Sequence, residues 1–320
     1  MSEDTTDPGL LRLMTKVASL YYQHDLQQEE IARRLRISQS RVSRLLSAAR
    51  ERGIVKTVIV PPPNLHADLA EELEATYGLD EVHVIEVPDD REDDLADALG
   101  IALAHLLEAS PPTVGTIGVT SWSRTLRSMA RNLRPLPRSR TTRVVEMLGD
   151  VGPPFLQHEA AAATQRLADM TGAAPVFLRV PGVVPPDVRD LLVNQDAYAL
   201  ETLAAHDDIE LAFTGVGTPE VIAPLEPGDN FFTNEEFAAA RQAGAVGELN
   251  MRFLAADGQP LATPLDDAVV GITLAQLRAC PRTVLVAGGL RKYAAIRAAL
   301  LGGWANVLVT DLGTAAYLRG

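Results

Sequence analysis

The chain has a single cysteine, Cys280, in 320 residues. This excludes an intrachain disulfide and leaves too few thiolates for a cysteine-based zinc site, so Cys280 is read as a buried apolar residue. No uninterrupted apolar run reaches the ~18–20 residues of a membrane span, and the opening MSEDTTDPGL is acidic and polar, without an apolar core of signal-peptide length. A cytoplasmic protein with no membrane partner is expected. The histidines (His24, His66, His83, His105, His158, His206) are scattered without metal-ligand spacing, and no metal site is expected. Both the P-loop pattern and the G-x-G-x-x-G fingerprint are missing, so no nucleotide cofactor is expected. No serine elbow or nucleophile–base set marks a catalytic residue.

Positive charge is scarce in the chain as a whole, whose net charge is −13, but it is unevenly placed. Residues 1–60 carry an excess of 3 positive charges and the remainder an excess of 16 negative ones. An acidic body repels a phosphate backbone, so only the N-terminal part is suited to nucleic acid. Within it, Arg33, Arg34, Arg36, Arg41, Arg44, Arg50, Arg52 and Lys56 face one acid, Glu51.

That basic stretch, Gln28 to Gly53, has the spacing of a helix-turn-helix. Ile31, Ala32 and Leu35 recur at helical intervals, Ile37 falls in the turn, and Val42, Leu45, Leu46 and Ala49 form a second apolar stripe. Ser38 is the expected N-cap of the second helix and Gly53 its stop. With both stripes turned inward, Gln28, Ser38, Gln39, Ser40, Arg41, Ser43 and Arg44 are the candidate DNA contacts. Arg pairs bidentately with guanine and Gln with adenine, and Ser reaches bases or phosphates. Leu10 to His24 is an amphipathic helix expected to pack behind this pair, with Tyr21 and Tyr22 as core or hinge residues. Double-stranded operator DNA is the expected partner.

The expected division is a disordered leader at 1–9, a DNA-binding domain at 10–60, a linker and linker helix at 61–80, and an effector domain at 81–320. Ile54 to Val60 is β-branched and reads as a short strand or wing, ended by Pro61, Pro62 and Pro63. Asn64 would cap a helix over 65–77, whose apolar positions 65, 69, 73 and 77 offer a subunit contact or a lever.

From residue 82 onward, short apolar strands near 82, 116, 143, 175, 210, 283 and 306 alternate with helical patterns at 93–108, 124–132, 159–170, 186–204, 234–242 and 292–301. The alternation predicts an α/β domain with a Rossmann-like, doubly wound, mainly parallel sheet.

In such sheets ligands bind beyond the carboxyl ends of strands, near helix N-termini. Three strand ends carry suitable chemistry. The first holds Thr120, Ser121, Ser123, Arg124 and Thr125, whose hydroxyls, guanidinium and backbone N–H groups could cradle a phosphate. The second is the glycine turn of Gly288 and Gly289 with Lys292 beyond it, and the third contains Gly215 and Gly217. Gln157 and Glu248 are candidates for sugar hydroxyls. Asp150 and Asp311 follow strands, and such residues more often cap helices. A small phosphorylated or polyhydroxyl ligand fits this chemistry.

Taken in order, SLYYQHDLQQEEIARRLRISQSRVSRLLSAARERGIV, GVTSWSRTL, TGVGT, GAVGELNMRFLAADG and VLVAGGLRKYAAIRAALLGGWANVLVTD resemble the SorC-type sugar-binding transcriptional regulators of bacteria. The resemblance implies a helix-turn-helix joined to an effector domain akin to sugar-phosphate isomerases and glucosamine-phosphate deaminases. It further implies a dimer or tetramer on paired operator sites, with DNA affinity changed by a sugar or sugar phosphate. By the same likeness Ser123, Arg124 and Thr125 match the phosphate-side loop, Gln157 and Glu248 the sugar side, and Lys292 the basic residue after the second glycine turn. Arg36 stands where the family usually has Gly, and Ser123 where many members have Gly. The alternative is a sugar-phosphate isomerase or deaminase-like enzyme carrying a DNA-binding module.

Overall fold

The computed structural model describes residues 8–55, 65–87, 91–222, 225 and 230–320. Two compact units divide the chain between Pro61 and Pro62.

The first unit is built from α1 (Pro8–Tyr22), α2 (Gln28–Leu35) and α3 (Gln39–Glu51). Their shared core contains Met14, Val17, Leu20, Ile31, Val42, Leu45 and Leu46, all buried. These are the apolar positions of three amphipathic patterns, brought together because none of the short helices can bury its stripe alone. The α2–α3 turn runs through Arg36, which takes the left-handed conformation at φ 53°, ψ 44°. Its backbone N–H closes on the carbonyls of Ala32 and Arg33. Ser38 then caps α3, its hydroxyl accepting from the Arg41 N–H at 3.3 Å. Tyr21 packs half-buried on this core, and Tyr22 accepts a 2.8 Å hydrogen bond from Arg50 Nε. The expected leader lies outside the described residues up to residue 7, and α1 already begins at Pro8. The expected wing lies outside them from Lys56 on, as do Pro61 to Pro63 and the Asn64 cap.

The second unit carries β1 (Glu81–Ile85), β2 (Thr116–Val119), β3 (Arg143–Glu146), β4 (Ala174–Val176), β5 (Leu211–Thr214), β6 (Ala245–Leu249), β7 (Arg252–Ala255), β8 (Arg282–Val286) and β9 (Val307–Asp311). Its helices are α4 (Ala67–Tyr77), α5 (Glu92–Ala109), α6 (Arg124–Asn132), α7 (Pro154–Thr171), α8 (Pro186–Gln195), α9 (Ala197–Ala205), α10 (Asn234–Gln242), α11 (Leu274–Ala279), α12 (Tyr293–Leu301) and α13 (Leu312–Arg319). Seven strands form one sheet in the order β1-β9-β8-β5-β2-β3-β4, and every neighbouring pair is parallel.

Strand alternation divides the apolar residues between the two faces. Leu211, Phe213, Val284, Val286, Val307 and Val309 join a core with Leu99 of α5, Met129 of α6 and Leu167 of α7. Ala212, Leu285 and Leu308, the residues between them, join the other core with Leu73 of α4, Ile296 of α12 and Leu318 of α13. Both faces are covered, and the seven strands are the seven expected from the apolar runs.

Three expectations are corrected. The pattern that predicts one helix over 186–204 forms two, because Asp196 is extended (φ −106°, ψ 102°) and its carboxylate caps α9 by accepting from the Tyr198 and Ala199 N–H groups. The helix expected over 65–77 does not present its four-residue stripe as a contact surface. Leu73 is fully buried, Leu69 and Tyr77 pack on the same core, and Tyr77 Oη donates to the Leu318 carbonyl at 2.9 Å, leaving Leu65 exposed. The stretch carrying Glu248, to which the apolar runs assign no strand, is the antiparallel hairpin β6–β7. It is a separate two-stranded sheet, and it completes the site.

Candidate functional site

Strand order reverses between β2 and β5: the chain leaves β2 for β3 and β4 on one side, then returns to β5 on the other. The chain therefore leaves the carboxyl ends of these two paired strands toward opposite sides of the sheet, which creates the crevice that open α/β sheets use for ligands. A cavity of about 370 Å³ opens at this point. Thr120, Ser123, Arg124, Thr125, Gly215, Gly217, Glu248, Gly288, Gly289 and Lys292 all line it.

The cavity floor is a buried polar network. Thr120 Oγ1 donates to Asn250 Oδ1 at 2.7 Å and lies 3.2 Å from Thr214 Oγ1. Asn250 sits in the two-residue turn between β6 and β7, where both Asn250 and Met251 have positive φ (48° and 66°). That is the backbone of the hairpin turn whose twist matches paired strands. A β-hairpin reading of LNMR between apolar runs could have revealed it. Such φ values cost of order 1 kcal/mol for non-glycine residues. Here they aim the Asn250 amide at Thr120 and the Met251 N–H at Glu248 Oε2, 2.6 Å away.

Glu248 is held just as closely on its other side. Its backbone exchanges N–H···O bonds with Gly217, at 2.9 and 3.0 Å. A Cβ at Gly217 would overlap the Glu248 carboxylate, so glycine is required there by close approach. Burial pushes the Glu248 carboxyl up to about 7, against the pull of the Met251 N–H and of the Lys292 ammonium. Burial likewise lowers the Lys292 pKa, opposed by Glu248 and Glu92. The cavity therefore holds a carboxyl and an amine whose charges depend on each other.

On the β2 side, Ser123 caps α6 with ordinary extended angles (φ −62°, ψ 125°) and makes no side-chain cap bond. A serine there needs no glycine conformation, and the first-turn N–H groups of α6 have no intrahelical acceptors. Its Oγ lies 3.4 Å from where a Cβ on Gly215 would stand, so these two loops face each other closely. Arg124 is engaged by Asp93 of α5. Arg127, one turn on, donates to the Trp122 carbonyl and pairs with Glu159 at 3.5 Å. At the β8 end, the Gly289 N–H donates to Asp311 Oδ2 and Thr314 Oγ1, both at 2.9 Å. Asp311 also caps α13 through the Thr314 N–H, so the second glycine turn spends that N–H inside the fold.

Two candidates lie elsewhere. Ser121 donates to Glu146 Oε1 at 3.3 Å, part of a buried cluster in which Glu146 also takes the Leu178 N–H and Arg179. Gln157 turns back to the Gly152 carbonyl at 2.7 Å. Neither lines the cavity. Arg291, which no sequence pattern marks, is central at the rim: it reaches Glu92 at 3.1 Å and Glu220 at 3.0 Å. Three separate chain segments meet there, and no local pattern signals that.

In the first unit, Ser38, Gln39, Ser40, Arg41, Ser43 and Arg44 are exposed on α3 or at its start, and Gln28 is half-buried at the start of α2. The Ser38 hydroxyl is occupied by the cap and by Ser40 Oγ at 3.1 Å.

Residues 62–318 match the family model described as "Putative sugar-binding domain" and residues 14–52 match that of "Sigma-70, region 4". The chain belongs to the SorC-type family of sugar-binding transcriptional regulators. It is 32% identical to the Deoxyribonucleoside regulator of Bacillus subtilis (strain 168) over 307 residues, covering 96% of this chain and 97% of that one. It is 29% identical to the Sorbitol operon regulator of Klebsiella pneumoniae over 314 residues, covering 96% and 98%. The crystal structure of full-length SorC from Klebsiella pneumoniae superposes with a TM-score of 0.71 at 28% identity, over 98% of this chain and 100% of that one. As a SorC-type regulator the chain has a helix-turn-helix and a sugar-binding domain, and the isomerase or deaminase alternative is not favoured. Among the described residues no helix is long and apolar enough to cross a membrane.

Proposed function

We propose that residues 10–60 read operator DNA and that residues 81–320, with α4 (Ala67–Tyr77) packed on their core, hold a sugar, polyol or sugar-phosphate effector that changes the affinity of that reading, the stretch from 61 to α4 serving as the link. DNA is contacted by α3 through Gln39, Ser40, Arg41, Ser43 and Arg44, with Gln28 at the start of α2 and the capped turn at Ser38 against the backbone. The effector occupies the cavity at the sheet's reversal point. Its anionic group meets Ser123, Thr125, Arg124 and Lys292, and its hydroxyls meet Glu248, Asn250 and Thr120.

The observation that carries this reading is the convergence of three strand-end loops and a hairpin turn on one cavity, with Lys292 and Glu248 in its wall. The protein acts without turnover, as a dimer or tetramer in the cytoplasm, and ligand binding shifts the population of subunit arrangements that sets the spacing of recognition helices. Thermal unfolding of the full-length chain against a panel of sugar phosphates, polyols and free sugars tests it. At least one compound is expected to raise Tm and to be recovered unchanged. A blank panel, or conversion of the compound, would overturn the reading.

A further inference from the structure

The cavity that collects these polar loops also has an extended apolar wall. Trp122, Leu156, Ile222, Leu225 and Phe231 line it. Leu156, Leu225 and Phe231 belong to one hydrophobic cluster with Trp122 packed against it. Trp122 and Phe231 meet edge to face at 6.3 Å, and Leu156 and Leu225 both close on Gly152. Trp122, Leu156, Leu225 and Phe231 therefore form a contiguous patch, and Ile222 is tied to it through its carbonyl, which accepts the Leu225 N–H at 3.0 Å.

A bare sugar phosphate carries a hydroxyl or charge on nearly every carbon. Against this wall such groups would lose water without gaining hydrogen bonds, at a cost for each group left unpaired. The one polar side-chain atom of these five residues, the Trp122 indole nitrogen, is itself buried, so the face they turn to the cavity is apolar. The wall thus suits an apolar body. The polar floor of Thr120, Asn250 and Glu248 suits hydroxyls.

We propose that the effector is amphipathic: a sugar or sugar phosphate joined through oxygen or nitrogen to an apolar ring, with the ring seated on Trp122, Leu156, Ile222, Leu225 and Phe231. This inference rests on the effector-site reading above and narrows its ligand class.

Methyl phosphate and benzyl phosphate carry the same anion and differ by the ring, so calorimetric titration of the full-length chain with each isolates the wall. Benzyl phosphate is expected to bind at least tenfold more tightly. Ile222→Ser, at a half-exposed position, and Phe231→Ala are each expected to cut that ratio at least threefold while leaving methyl phosphate affinity unchanged. Ile222→Ser keeps the test open if Phe231→Ala fails to fold. Equal affinities for the two phosphates, or a ratio untouched by Ile222→Ser, would overturn the proposal. If sugar phosphates raise Tm while the ring gains nothing, this inference falls and the effector site stands. If neither phosphate binds and no sugar or sugar phosphate does, the effector reading falls and this inference with it.

Discussion

Arg36 holds a left-handed backbone in the turn of the DNA-binding unit, a conformation that costs an L-residue about 1–2 kcal/mol. Glycine would remove the strain but lose more chain entropy on folding, by roughly 0.5–1 kcal/mol. Arg36→Gly is therefore expected to stabilise the protein by roughly 0.5–1 kcal/mol, measured by denaturant unfolding of the N-terminal unit. No change or a loss would show that the exposed guanidinium contributes more than the strain costs. The left-handed position is legible in the sequence, because the family resemblance marks it as a glycine site. The fate of Gln157 is not, since the Gly152 carbonyl that claims its amide becomes a neighbour only once Pro153 turns the chain into α7. A second residue-scale prediction concerns Glu248. Its folded carboxyl titrates at about 7, against an ordinary value of 4.5. The folded state then binds more protons than the unfolded one between those values, so stability falls as pH rises from about 4.5 to 7 and levels off above. Comparing wild type with Glu248→Gln isolates this slope from other groups such as Asp150, which shifts in the same direction. The wild type is expected to lose up to about 3 kcal/mol more than the variant over that window. Parallel pH profiles in urea unfolding would contradict it.

At the scale of elements, the sequence displays the strands and the two DNA-reading helices well, because each has a strong apolar period. Arg124–Asn132 and Asn234–Gln242 begin and end where their patterns do. The hairpin β6–β7 is less visible: its turn uses Asn and Met where Asn-Gly is the usual signal. Its role depends on docking, since Gly217 and Glu248 bond across separate elements. The split of α8 from α9 falls at Asp196, a single local cap within an otherwise helical composition, whose carboxylate takes the Tyr198 and Ala199 N–H groups. For α3 the prediction is electrostatic. Arg41 and Arg44 are exposed on it, and removing a cation that neutralises one phosphate should reduce the slope of log K against log salt by about 0.9. Arg41→Ala and Arg44→Ala are each expected to weaken binding to the chain's own promoter DNA. The variant facing a phosphate changes the salt slope, whereas the variant facing a base relaxes sequence preference at one position. A salt series of fluorescence anisotropy measurements distinguishes them, and unchanged binding by both would remove α3 from the interface.

Over the whole molecule, charge separates the two tasks. The N-terminal 60 residues carry an excess of 3 positive charges against 16 negative ones in the rest, so a DNA backbone is attracted by one unit and repelled by the other. The sheet in turn places its reversal point between β2 and β5, which brings Thr120, Gly215 and, through the hairpin, Glu248 to one cavity. The residues that would hold a ligand and those that would hold DNA thus lie in different units, and a change in one set should leave the intrinsic work of the other intact. Lys292 is the residue on which this separation is best tested, because it lines the cavity and opposes the charge of Glu248. Promoter-DNA affinity should therefore be measured for wild type and Lys292→Ala, with and without the compound that raises wild-type Tm. Equal affinities are expected without the compound, and with it a shift of at least tenfold for wild type and less than twofold for the variant. Loss of DNA binding by Lys292→Ala in the absence of the compound, or a full response in its presence, would refute this separation of roles.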